Sequence, residues 1–182
     1  MAVETESELS ITLPDGAWFR FAKTATYKPL GGRALKEMDF GYFDRAEGHL
    51  VLVELTSYAK ATDLPKAATL QAEMIAKARD SLLMLQAAWR GHGAGNALLL
   101  ELPEACRKEL DLRICFVVKL RPEHRVSFTT VMSNIRGTLN SCVTASADLL
   151  GLKVNVQLLH HLNAMGKLPI TEPELSDARK SG

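Results

Sequence analysis

The chain has 182 residues, a net charge of +1, 47% hydrophobic and 24% charged residues, the profile of one soluble globular domain able to bury a substantial core. So near-neutral a balance excludes a global attraction for polyanions, and no apolar run reaches membrane-spanning length. Cys106, Cys115 and Cys142 are unevenly spaced with no C-x-x-C, which argues against a disulfide framework or a zinc site and fits a reducing, cytoplasmic setting.

The acidic start, Met1 to Glu8, lacks the basic and apolar regions of a secretory signal. Ile11-Thr12-Leu13 leads into a turn at Pro14-Asp15-Gly16, and Ala17 to Lys23 alternates as a strand. Leu35 to Phe43 and His49 to Tyr58 are rich in β-branched and aromatic residues, and Asp44 to Gly48 between them is turn material, so the pair predicts a hairpin. Thr62 or Asp63 is suited to cap a helix from about Pro65 to Arg90, which Gly91-His92-Gly93-Ala94-Gly95 stops.

Further on, Ala97 to Leu102 is a short apolar run, and Pro103 to Leu110 suits a small helix. Leu112 to Leu120 is almost continuously apolar, as a central strand should be. Val126 to Leu150 carries helical material interrupted by Gly137, Val143 and Thr144, and Lys153 to Leu159 alternates as a last strand. Residues 1–165 are thus expected as one α/β domain, with a mixed sheet flanked by helices, and 166–182 as a polar tail that frays.

The predicted hairpin sets Asp39 on one strand and Glu54 on the next, each among apolar neighbours. Ionised carboxylates there are costly, and more so side by side, unless a cation or hydrogen-bond donors meet them; a divalent metal is one such cation. Glu37 shares the strand face of Asp39 and is a third acid within reach. On the long helix, Lys77 sits at the centre of the face formed by Leu70, Met74, Ser81, Leu85 and Ala88, whereas Arg79 and Gln86 lie opposite. Its ammonium either snorkels to the rim or turns inward toward an anion, with Asp80 and Ser81 placed to orient it. A metal-free pair of Glu54 with Lys77 would account for both unusual placements, and Asp39 has Arg33 or Lys36 as alternative partners.

Asp39, Glu54, the strand-strand-helix-strand order around them and Lys77 resemble the PD-(D/E)xK, or restriction-endonuclease-like, nuclease superfamily. The resemblance implies a restriction-endonuclease-like core, magnesium or manganese held by Asp39 and Glu54 with the Leu55 carbonyl as a further ligand, and hydrolysis of DNA or RNA phosphodiesters in a prokaryotic defence, mobile-element or repair setting. It also implies a lysine two residues after Glu54, where this chain has Thr56. Family members are known to supply that lysine from a neighbouring helix, a role that falls to Lys77 or, less aptly placed in a polar linker, to Lys60. The other reading is a catalytically silent module with this fold that binds a protein partner or forms a homodimer.

Other residues invite weaker readings. Arg107, Lys108, Arg113, Lys119, Arg121, His124 and Arg125 form a basic segment suited to nucleic acid or to a solvated edge. His160 and His161 are neighbours expected on opposite strand faces, His92 belongs to a helix stop, and Ser141-Cys142 lacks a partner histidine. Trp18 and Trp89 read as core or interface anchors.

Overall fold

In the computed structural model, which describes residues 1–31, 35–61 and 66–172, the first pairing is a hairpin of β1 (Ala2–Glu6) and β2 (Leu9–Leu13). Its two-residue turn places Ser7 and Glu8 at φ 51° and 61°, the left-handed geometry such turns need. Neither is the glycine or asparagine that usually announces this turn, which is why the sequence hides it. The short strand β3 (Trp18–Phe19) follows, and the chain then coils into a 3-10 turn at Phe21–Lys23, so the strand expected from Ala17 to Lys23 is cut short. The helix α1 (Tyr27–Gly31) comes next.

The central hairpin pairs β4 (Phe40–Asp44) with β5 (His49–Tyr58) antiparallel, Phe40 opposite Val53 and Asp44 opposite His49. The expected hairpin is present, but β4 begins after Asp39, and residues 35–39 are not strand. The Phe19 ring occupies the space beside Gly41, where a Cβ would come within 2.3 Å of its Cζ.

The helix α2 (Ala67–Trp89) then crosses over to β6 (Leu112–Leu120) by way of α3 (Gly95–Glu101). The apolar run from Ala97 is therefore helical, and Pro103 to Leu110 yields only a 3-10 turn at Glu104–Cys106. A second crossover, α4 (Arg125–Leu150), leads to β7 (Val154–His160). α4 is unbroken despite Gly137, because Phe128, Met132, Ile135, Leu139, Val143 and Ala147 recur at helical spacing and are buried together. The chain continues through α5 (His161–Ala164) to β8 (Ile170–Thr171).

The main sheet has the order β3-β4-β5-β6-β7; β3, β4 and β5 are antiparallel neighbours, and β5, β6 and β7 run parallel. This is a mixed α/β architecture with a mixed sheet flanked by helices. Leu50, Leu52, Ile114 and Phe116 face α2 and α4, which pack against one another. Val51, Val53, Cys115 and Val117 face the opposite way, onto Leu9, Ile11 and Ile170 of the small sheet β1-β2-β8. With both faces covered, β5 is buried continuously from Leu50 to Leu55.

Two expectations change with this packing. Leu168 and Ile170, expected within a fraying tail, are buried, and Ile170 pairs with Ile11. Gln86, expected on the solvent side of α2, is buried because α4 covers that side, and its amide donates to the Leu150 carbonyl at 2.9 Å. Arg33, the cap at Thr62 or Asp63, the helix start at Pro65, the Arg125 side chain and the chain from 173 onward lie outside the described residues.

Candidate active site

Three elements meet at the head of β4. The approach to it is tied to α2: the Lys36 N–H donates to Asp80 Oδ2 at 2.8 Å and the Met38 N–H to Ser81 Oγ at 3.0 Å. Asp80 and Ser81 thus hold the segment preceding Asp39 and do not orient Lys77. Asp39 in turn accepts the Leu55 N–H at Oδ2, 2.7 Å away, which locks it against β5.

Glu54 comes opposite Asp39, one step beyond the Phe40–Val53 pair. It is 5% exposed and points to the helix side of the sheet with Leu50 and Leu52. There Lys77, reaching across from α2, donates to Glu54 Oε1. Glu54 Oε2 is buried and has no hydrogen-bond partner among the described residues. Thr56, two residues further along β5 and so on the same strand face as Glu54, lines the same small cavity of about 220 Å3.

The electrostatics follow from this crowding. Burial, and then the charge of Asp39, push the Glu54 carboxyl up to about 8 against the opposing pull of Lys77. Burial likewise raises Asp39, opposed by the Leu55 N–H and by Lys77. Burial works to lower Lys77, but the charge and hydrogen bond of Glu54, aided by Asp39, hold it above the ordinary lysine value. One ammonium therefore serves two carboxylates, leaving a site with unmet demand for positive charge.

Asp39, Glu54 and Lys77 are thus brought together, and two other expected members are not. The Glu37 carboxylate is taken by the Tyr27 hydroxyl. Lys60 is exposed and pairs with Glu8 at 2.5 Å. Two acids that the sequence did not single out also line the cavity. Glu73 lies one turn before Lys77 on α2, a spacing the helical wheel contains, whereas Glu6 arrives from β1 and pairs with Arg20 at 2.8 Å. Among the described residues, no group of three or more His, Cys, Asp or Glu side chains is arranged to hold a metal ion.

The basic segment does not form one patch. Arg107 donates to the carbonyls of Leu100 and Leu102 at the end of α3, while Arg113 and Arg121 stand at opposite ends of β6. Lys119 donates to the Glu8 carbonyl at 3.2 Å, and Arg121 to that of Ala59 at 2.8 Å. His160 and His161 do not part to opposite strand faces, because His161 begins α5; their ring centroids lie 4.4 Å apart, and His161 Nε2 is 3.0 Å from Glu172 Oε1. The Ser141 hydroxyl donates to the Gly137 carbonyl within α4, and the Trp89 indole to the Cys106 carbonyl.

No family model, curated protein or solved structure matches the chain.

Proposed function

We propose that this chain is a divergent metal-dependent nuclease of restriction-endonuclease-like architecture, acting on DNA or RNA phosphodiesters. The observation that carries the reading is the delivery of Lys77 from α2 to Glu54, in the cavity where Thr56 takes the place of the expected strand lysine. The antiparallel β3-β4-β5 unit, followed by a helical crossover to a parallel β6, supports it.

The residues present fit a magnesium or manganese ion. Such ions are held by one or two carboxylates with water completing the shell, and Glu54 Oε2 is a buried carboxyl oxygen beside Asp39 with no hydrogen-bond partner among the described residues. Asp39 and Glu54 would hold the ion, which when bound supplies Lewis acidity toward a phosphoryl oxygen and acidifies a coordinated water. Lys77 contributes positive charge toward a phosphate entering the cavity, in surroundings dry enough to make that charge effective. The Leu55 N–H fixes the Asp39 carboxylate, so one of its oxygens is already committed to positioning.

A silent interaction module or homodimer with this fold is the second reading. It is favoured by the same Lys77–Glu54 contact, because a buried acid neutralised by a lysine is stable scaffolding without metal. Calorimetric titration of manganese into wild type and Glu54→Gln, with cleavage assays on mixed DNA and RNA, separates the two. The nuclease reading expects a binding heat abolished in Glu54→Gln and cleavage lost in Lys77→Ala. Absence of heat and of cleavage in wild type leaves the silent module.

A further inference from the structure

A second polar groove, of about 460 Å3, runs along the outer edge of β7, lined by Arg136, Gln157, Leu158, Leu159, Asn163 and Lys167. Among the described residues β7 ends the sheet, so one side of its backbone has no strand neighbour there. Arg136 reaches this edge from α4, its Nη2 3.4 Å from the Leu158 carbonyl. Lys167 comes from the turn after α5. Among the described residues, every polar side chain lining the groove is a hydrogen-bond donor, and none is a carboxylate.

A third cation lies close by. Arg113, opposite Asn155 in the parallel β6–β7 register, shares a sheet face with Cys115, and Cys115 is opposite Gln157. Burial pushes the Cys115 thiol up to about 12, and the two groups opposing that shift are Arg113 and then Lys167, so both charges act on one point of the sheet. Arg113 Nε is buried with no hydrogen-bond partner among the described residues. Among the described residues, none of Arg113, Arg136 and Lys167 forms an ion pair. Asp44, which with Arg113 influences Tyr42, turns its carboxylate to the Ala46 N–H instead.

Uncompensated cations gathered without a counter-charge repel one another, in a protein whose net charge is only +1. An anion would reverse that cost. Guanidinium and ammonium groups flanking amide donors match phosphate oxygens.

We infer that the β7 edge groove, through Arg136 and Lys167 with Arg113 behind them, binds phosphates of a nucleic-acid backbone. The choice of ligand rests on the nuclease reading, whereas the anion site rests on the groove itself. Leu158 stands level with Phe116 and Glu54 in the parallel register, two strands across, or about 10 Å. Contacts at the groove go to phosphate and carry no base information, so the groove adds affinity and orientation and no sequence preference.

The test is binding of a fluorescent 20-mer duplex, followed by anisotropy across a salt series in EDTA, so that cleavage plays no part. Arg136→Gln/Lys167→Gln is expected to weaken binding and to make the slope of log K against log salt shallower by about 1 for each cation removed. The charge-preserving pair Arg136→Lys/Lys167→Arg should keep the wild-type slope, and Glu54→Gln should bind at least as well as wild type. Equal affinity and slope in wild type and the Gln pair overturns the groove, as does wild type that binds inorganic phosphate or an acidic peptide but no duplex. Groove-dependent binding without cleavage in magnesium or manganese sustains the groove and removes the enzyme reading.

Discussion

Lys77 and Glu54, on a helix and a strand consecutive in the chain, meet through one carboxyl oxygen and leave the other buried with no hydrogen-bond partner among the described residues. Every functional expectation for the site depends on how that half-satisfied pair responds to change.

Restoring the lysine to the strand tests whether Lys77 stands in for it. Lys77→Met is expected to lower cleavage by on the order of 100-fold through loss of charge at the phosphate. Adding Thr56→Lys should recover most of that loss, since position 56 lines the same cavity. Cleavage rates of the two variants under single-turnover conditions make the comparison.

Lys77→Met also strands a buried carboxylate. The lysine side chain is 30% exposed, and that exposure moderates the full cost of breaking a buried pair, so the variant should lose about 1–3 kcal/mol in urea unfolding above pH 8. Glu54→Gln/Lys77→Met should lose less than Lys77→Met, because no charge remains to be satisfied.

The pH dependence of stability has a definite sign. The folded-state value of Glu54 is raised from 4.5 to about 8, so between those values the folded protein holds a proton that the unfolded chain has released. The contribution is complete below pH 4.5 and is lost progressively as pH rises to about 8. Lys77, raised above 10.5, contributes stability throughout this window and loses it only above 10.5. Chemical denaturation of Glu54→Gln should therefore show a flatter profile from pH 4.5 to 8 than wild type.

Two glycines are expected to behave oppositely. A Cβ on Gly95 would lie 2.0 Å from the Ala87 carbonyl oxygen of α2, which cannot retreat, so Gly95→Ala should destabilise the α2–α3 junction. Nothing lies within 4 Å of a Cβ on Gly137, and Gly137→Ala should stabilise α4 by up to about 1 kcal/mol. Thermal unfolding of both variants checks the contrast.

The approach to Asp39 depends on a hydroxyl. Ser81→Ala leaves the buried Met38 N–H without its acceptor and is expected to cost about 1–3 kcal/mol. By loosening Asp39 it should also weaken manganese binding, read by calorimetry, more than Ser141→Ala, whose hydroxyl bonds only within α4.

Local pattern alone determined β5, β6, β7, α2 and the bulk of α4, because long apolar runs and 3.6-residue periodicity leave little choice of element. It also singled out Asp39, Glu54 and Lys77, since a charge in an apolar stripe stands out against its neighbours. Tertiary structure decided the rest. The N-terminal hairpin and β8 are short and gain their stability from covering one face of the main sheet, so neither has a strong local signal. Likewise, Glu37 and Lys60 were excluded by Tyr27 and Glu8, partners 10 and 52 residues away in the chain. The sequence marks which charges are misplaced; only the fold determines which donor reaches each, because charges interact through space and not along the chain.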